Sequence, residues 1–369
     1  MKLSPQQQKA VRGLTDFLSS GQQIYKIHGY AGTGKSTVIS HVLGGRDDIV
    51  FCAPTAKAAS VLRSKGTEAV TIHSLLYTPY EYVHPRTKKP TLGFKENPKS
   101  PLAAGGIVVV DEASMVDAQI AEDLLRHPVK VIAIGDPGQL PPVMSKGNQS
   151  LLSGRPDVML TEVHRTALDS PILELATYVR ENKKLPPWEF NKPGGRIVRH
   201  SSEAGEFTSF DQIIVGRHKT RFRVNDFVRR QRGFQGSFPN AGETVLCKMN
   251  KIDKGLINGA QYTVRSSMKV DEDSLIVDLV AEDGTIIPET AWTYGFLGAR
   301  GMEHLARMPM NDRKENLILW HSEAITCHSS QGSEWGKVLV NDESRSFNTP
   351  GPWLYTALTR AQEEVVIVR

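Results

Sequence analysis

The run GYAGTGKS, from Gly29 to Ser36, constrains the fold of this chain more than any other feature. It fits G-x-x-x-x-G-K-[ST], a phosphate-binding P-loop, which works only where a strand ends and a helix begins. The flanks supply that context: Ile24, Tyr25, Lys26 and Ile27 read as strand, and Ser36 to Val42 reads as helix. Glycine lets the backbone turn its N–H groups inward around an anion, at a helix N-terminus whose dipole already favours negative charge. Gly29, Ala31, Gly32, Thr33, Gly34, Lys35, Ser36 and Thr37 are therefore expected around the phosphates of a nucleoside triphosphate. Lys35 would neutralise the β- and γ-phosphates, and the Ser36 hydroxyl would ligate Mg²⁺.

The rest of the chain alternates strand and helix. Ser4 and Pro5 read as an N-cap and first turn, followed by Ala10, Val11, Leu14 and Leu18 at helical spacing. Ile49 to Ala53 reads as strand, Ala56 to Leu62 as helix, Ile107 to Val110 (IVVV) as a buried strand, Asp117 to Arg126 as helix and Val129 to Ile134 as strand. Gln212 to Val215 and Val338 to Val340 resume short strands, with Trp353 to Ala361 helical and Val365 to Val368 the last strand. This pattern predicts an α/β fold with parallel sheets wrapped in helices. Two segments interrupt it. The first, about 78–101, is rich in Pro, Lys and aromatics and reads as loop or hairpin. The second, about 240–320, holds alternating runs (Gln261 to Val270, Ser274 to Val280) divided by turn residues, a β-rich module. The expected assembly is two α/β lobes, 1–77 with 102–168 and 169–239 with 321–369, carrying insertions 78–101 and 240–320.

Composition sets the outer limits. At 369 residues two or more domains are expected. The net charge of +5 suits a polyanionic partner, and equally a merely basic enzyme. Cys52, Cys247 and Cys327 are scattered without C-x-x-C spacing, which suggests neither a disulfide framework nor a zinc site and fits a reducing, cytoplasmic compartment. No stretch approaches a membrane span.

Asp111 and Glu112 end the IVVV strand. In open α/β sheets ligands sit beyond the carboxyl ends of strands, so the pair would land beside the P-loop. Asp111 would hold Mg²⁺, and Glu112 would orient and deprotonate the attacking water. After the next strand comes GDPGQLPPV, Gly135 to Val143, where Gln139 can bond a γ-phosphate or that water.

The P-loop, DEAS and GDPGQLPPV, in that order, resemble superfamily 1 helicases, and most closely the RecD/Dda-like branch. The resemblance implies two RecA-like lobes hydrolysing ATP with Mg²⁺. LSPQQQKAV looks like the adenine-recognising glutamine motif, with Gln7 as the candidate; Gln7 also stands at N3 of a Ser4 capping box. APTAKAA and TIHSLL resemble strand-gripping motifs of the first lobe, where Thr55, Thr71 and backbone N–H groups would bond phosphates and Pro54 and His73 would offer flat surfaces to bases or sugars. LTEVHRT and LYTALTRA place Arg165 and Arg360 at the positions of the family's two arginine fingers, a role typically worth ~10³ to 10⁵ in rate. Such contacts need the lobes to close over ATP. AITCHSSQGSEW resembles the motif joining nucleotide and strand, with Thr326 and His328 toward the strand and Gln331, Gly332 and Glu334 toward the nucleotide. Two departures stand out: Ser329 where relatives carry Lys, and Thr166 where they often carry Gln.

In that branch the first insertion is a β-hairpin pin that splits duplex and the second an SH3-like barrel that roofs the strand. Phe94, between Gly93 and Lys95, is the expected pin aromatic at a hairpin tip, with Tyr80, Tyr82 and His84 as rivals; the alternative is an anchor to its own lobe. Trp320 either stacks on a base or fills core. The resemblance implies an ATP-dependent DNA helicase moving 5′ to 3′ on single-stranded DNA, serving replication, repair or recombination in the cytoplasm of a phage host or bacterium. Its partners would be single strands, single–double-strand junctions and single-strand-binding or replication proteins, with a monomer as the active form. The alternatives are a translocase that strips proteins from single strands and an RNA helicase of the same superfamily.

Overall fold

The computed structural model describes residues 3–83, 90–141, 150–162 and 170–369. The chain divides into two compact units, one comprising 1–80, 94–187 and 349–359, the other 81–93, 188–348 and 360–369.

The first unit is built on β1 Ile24–Gly29, β2 Ile49–Ala53, β3 Ala69–Thr71, β6 Ile107–Val110, β7 Lys130–Gly135 and β8 Val158–Leu160, while β4 Tyr77–Val83 and β5 Pro90–Glu96 fall partly in 81–93. Six form a sheet in the order β3-β2-β6-β7-β1-β8, every pairing parallel. Its helices are α1 Pro5–Ser19, α2 Lys35–Leu43, α3 Ala56–Ser64, α4 Ile72–Leu76, α5 Ala118–Leu125 and α6 Pro171–Asn182. The IVVV strand shows why the sheet is covered on both faces. Ile107 and Val109 join Ala10, Leu14, Val38 and Ile39 of α1 and α2, whereas Val108 and Val110 join Leu75, Leu76, Ala121 and Leu124 of α4 and α5. Side chains alternate across a strand, so a run apolar at every position fits only a strand with helices on both sides. A later helix, Pro350–Leu358, packs against α6 within this unit.

β4 and β5 form a two-stranded hairpin. Residues 84–89, His84 among them, lie outside the described residues; Phe94 lies within β5 and not at the tip expected from sequence.

The second unit carries β9 Asn191–Lys192, β10 Gly195–Val198, β11 Gln212–Val215, β12 Thr244–Cys247, β13 Gln261–Lys269, β14 Ser274–Val280, β15 Ile286–Trp292, β16 Leu319–His321, β17 Ala324–Thr326, β18 Trp335–Asn341 and β19 Ala361–Val368. One six-stranded sheet runs β17-β11-β18-β19-β10-β9, parallel but for the β9–β10 pair. A second, antiparallel sheet runs β15-β14-β13-β12-β16 around Val245, Val264, Val277, Leu279 and Leu319. The helices are α7 His218–Gln231, α8 Gly298–Arg307 and α9 Met310–Glu315, which makes Pro350–Leu358 α10. The last helix starts earlier and stops sooner than the expected span of Trp353 to Ala361, because Pro350 fits the first turn, where no N–H is needed, and Ala361 already pairs in β19.

Candidate nucleotide site and strand-facing residues

The expected residues of the first unit gather at the carboxyl ends of its parallel sheet: the P-loop after β1, Pro54 and Thr55 after β2, Thr71 and His73 around the end of β3, Asp111 and Glu112 after β6, and Gln139 after β7. Within the P-loop, Gly34 takes φ 75°, ψ 34° and caps α2, a left-handed turn that glycine makes without steric cost. Thr33 is buried and its hydroxyl donates to the Tyr30 carbonyl at 2.8 Å. The Lys35 ammonium donates to the carbonyls of Gly29 at 2.8 Å and Tyr30 at 3.1 Å, which folds the lysine over its own loop.

Asp111 accepts the Glu112 N–H at 2.9 Å. Burial pushes its carboxyl above the usual range, while that N–H and then the Lys35 charge pull it down. Glu112 sits at φ 50°, ψ 37°, one of two non-glycine residues with positive φ among those described. The Gln139 side-chain oxygen is buried with no hydrogen-bond partner. An orphaned acceptor, a lysine and a half-buried carboxylate at one sheet edge match the donor set that a magnesium–nucleotide complex takes. Ser36 and Asp111 are the residues that would hold the metal.

Gln7 is buried at 1% exposure and forms the capping box in full: its N–H donates to Ser4 Oγ at 3.3 Å and its Oε1 accepts the Ser4 N–H at 3.0 Å. Its Nε2 also reaches the Thr33 carbonyl at 3.4 Å, so the capping glutamine touches the P-loop. The threonines expected to grip a strand all cap short helical segments. Thr55 accepts from Ala58 N–H, Thr71 from Ser74 N–H and Thr326 from Ser329 N–H. Ser329, the departure from the family pattern, also bonds Thr326 through its hydroxyl at 3.0 Å. His73 is exposed, and its ring meets Phe94 edge-on at 5.9 Å. Phe94, 55% exposed, also faces Tyr77 at 6.5 Å, so it is packed on its own unit at the base of the hairpin.

In the second unit, Thr326 ends β17 and His328 follows it, half-buried. Gln331, Gly332, Glu334 and Arg360 stand at the opposite, amino ends of β18 and β19. Arg360 is 3% exposed and donates to the Ser333 carbonyl at 3.1 Å. Arg165 lies outside the described residues.

Residues 2–202 match the family model of an AAA domain, and residues 321–368 that of a UvrD-like helicase C-terminal domain. The chain belongs to the RecD/Dda/Pif1-like superfamily 1 helicases. It is 29% identical to the ATP-dependent RecD2 DNA helicase of Deinococcus radiodurans, over 96% of this chain and 49% of that one. It is also 29% identical to the ATP-dependent DNA helicase Dda of Enterobacteria phage T4, over 76% of this chain and 66% of that one. The chain thus spans about half to two thirds of the length of the curated relatives it matches. A Pif1 helicase from Bacteroides, solved in complex with ADP-AlF3 and single-stranded DNA, shares the fold at a TM-score of 0.57 and 20% identity, covering 100% of this chain and 92% of that chain.

This superfamily 1 chain also shows residues that the motif assignments missed. Tyr355, fully buried on α10, donates its hydroxyl to Asp136 Oδ2 at 2.6 Å and accepts the Ala31 N–H of the P-loop at 3.2 Å. Thr356 accepts the Leu140 N–H at 2.9 Å. Burial and the Asp136 charge push the Tyr355 phenol far up, so it is a permanent donor. Both residues lie inside LYTALTRA and Asp136 inside GDPGQLPPV, where attention to Arg360 and Gln139 hid them. Arg180 covers the Tyr30 ring at 3.7 Å; no motif marks it.

Proposed function

We propose that this protein is an ATP-dependent DNA helicase that moves 5′ to 3′ on single-stranded DNA and opens duplex ahead of it. The observation that carries the reading is the convergence of the P-loop, Asp111, Glu112 and Gln139 on one sheet edge in a chain of this family. Backbone N–H groups from Gly29 to Thr37 and the Lys35 ammonium hold the phosphates. Ser36 and Asp111 would hold Mg²⁺, which would supply neutralisation of phosphate charge. Glu112 takes the proton of the attacking water, and Gln139 positions that water through its unpaired oxygen. Arg165 and Arg360 stabilise the transferring phosphoryl group. Gln7, Gln331, Gly332 and Glu334 complete nucleotide recognition.

The strand runs over Pro54, Thr55, Thr71, His73, Thr326 and His328. With the threonine hydroxyls committed to caps, phosphates are taken by backbone N–H groups of the helical starts that those caps hold in place. Phe94 with His73 forms an aromatic edge suited to stacking on bases, worth ~1 to 3 kcal/mol per base. We read 1–77 with 102–168 and 169–239 with 321–369 as the two motor lobes, 78–101 as the pin and 240–320 as the strand roof. The partners are single strands and junctions, the active form is a monomer and the setting is the cytoplasm of a bacterium or phage host. No described helix is long and apolar enough to cross a membrane.

The test is ATP-driven opening of two short duplexes, one with a 5′ and one with a 3′ single-stranded tail. The reading expects only the 5′-tailed substrate to open. Opening of only the 3′-tailed duplex overturns the polarity. Strand-stimulated hydrolysis with neither opened makes the protein a translocase that clears bound proteins.

A further inference from the structure

The second unit holds a cluster of cations that ATP hydrolysis does not use. Arg221, on α7, is 2% exposed. Its guanidinium lies 3.8 Å over the Trp320 ring and 4.6 Å from the Phe222 ring. Its Nη2 contacts Met302 Sδ at 3.6 Å, while Nε and Nη1 have no hydrogen-bond partner among the described residues. Lys248, just past β12, stands 4.6 Å over the same indole, and His218 meets it edge-on at 5.5 Å. Burial pushes the Arg221 guanidinium down to about 9, and burial followed by the Arg221 charge pushes Lys248 down; no carboxylate offsets either shift. Asp226 is paired with Arg230, and Glu243 with Arg229.

Buried cations are ordinarily paired, and arginine has no route to neutrality at physiological pH. Here no carboxylate among the described residues pairs with Arg221 or Lys248, and space for an anion is present. A cavity of about 200 Å³ opens beside Arg221, lined also by Phe222, Asn225, Asp226, Arg229 and Trp320; Asp226 there is paired with Arg230, and Lys248 stands across the indole, outside the lining. Bulk water occupies ~30 Å³ per molecule, so a phosphate-sized group fits. The place is also right. α7 follows β11, whose end pairs with that of β17 (Val215 beside Thr326), so His218 shares an edge with the proposed strand contacts. His328 is among the charges acting on His218.

We propose that Arg221 and Lys248, anchored on Trp320, form an anion site that takes one phosphodiester group of a bound nucleic-acid strand. The proposal rests on the strand-binding reading above. It gives that reading a cationic phosphate anchor in the second unit, independent of the capped threonines.

Arg221→Met keeps the volume and the apolar packing and removes the charge. The probe is a short labelled oligothymidine, bound without nucleotide across a salt series. The expected result is an affinity about tenfold lower and a log–log salt slope smaller by about 0.7, the share of one phosphate contact on a single strand. The melting temperature should hold or rise, because an unpaired buried charge has gone. Should the variant fail to fold, Lys248→Met carries the same expectation. Wild-type binding with an unchanged slope in the folded variant overturns this inference alone and leaves Arg221 a structural cation under Trp320. A wild-type protein that binds no oligothymidine overturns the strand reading and this site with it.

Discussion

Glu112 stands in the left-handed region at φ 50°, a conformation that costs a side-chain-bearing residue about 1 kcal/mol and recurs at functional sites. The strain makes a two-part prediction. Glu112→Gln should lose hydrolysis while keeping stability, since amide and carboxylate share a shape. Glu112→Gly should lose hydrolysis too, yet gain up to about 1 kcal/mol in denaturant unfolding, because glycine accepts that backbone freely. Equal stability in both variants would mean the turn is not strained. Tyr355 offers a second case. Its hydroxyl is shared between Asp136 and the Ala31 N–H, and Tyr355→Phe removes it with little change of volume. The cost should be about 1 to 3 kcal/mol of stability, with weaker ATP binding from a loosened P-loop. An unchanged melting curve together with an unchanged KM for ATP would show the bridge to be incidental.

At the scale of elements, α7 is held to the antiparallel sheet by one buried ion pair. Arg229 Nε donates to Glu243 Oε1 at 2.9 Å, and its other nitrogens donate to the carbonyls of Gly236 and Phe238 at 2.9 Å. Both side chains are buried, so Glu243→Ala leaves a guanidinium without its carboxylate. The expected loss is about 3 to 5 kcal/mol, measured by urea unfolding; a loss below about 1 kcal/mol would mean the carbonyls suffice. Neither partner of this pair stood out in the sequence, because a charged residue on a helix (Arg229) or just before a strand (Glu243) reads as solvated surface until its neighbours are known. The same limit hid α8 and α9. The stretch GARGMEHLARMPMNDRKEN offers two glycines and a proline inside a region of β pattern, so propensity argues against helix. The structure explains one of those glycines: a Cβ at Gly301 would lie 1.9 Å from the Tyr294 carbonyl, a contact only glycine permits. By contrast β1, β2, β6 and β14 were legible nearly to the residue, since alternating or continuous apolar runs need no knowledge of distant partners. The hairpin was legible as an element but not in its register. Phe94 was expected at a tip, and it packs on His73 and Tyr77 instead.

Across the whole molecule, the proposed nucleotide and strand residues are drawn from both six-stranded sheets. No side chain belongs to both the proposed nucleotide set and the proposed strand set, although each set uses the carboxyl edge of the first sheet. Motif order places the P-loop, Asp111, Glu112 and Gln139 at one sheet edge from sequence alone, because a P-loop marks which edge is used and later motifs follow from strand ends. The clasp of Tyr355 on the P-loop was not legible, being a meeting of residues 324 positions apart. The separation makes Lys35→Ala informative. Among the described residues the lysine donates only to carbonyls of its own loop, and its charge acts on Asp111 within the proposed nucleotide set, so removing it leaves the proposed strand residues in place. Hydrolysis of ATP should be lost, because the charge that neutralises the β- and γ-phosphates is gone. Affinity for a single strand without nucleotide should stay within about twofold of wild type, since effects at independent sites combine to within ~0.5 kcal/mol. Filter binding and phosphate release on the same preparation check both halves. Wild-type turnover in the variant would remove the P-loop from the mechanism. A strand affinity that fell with hydrolysis would instead show that loop and strand path share one element even in the absence of nucleotide.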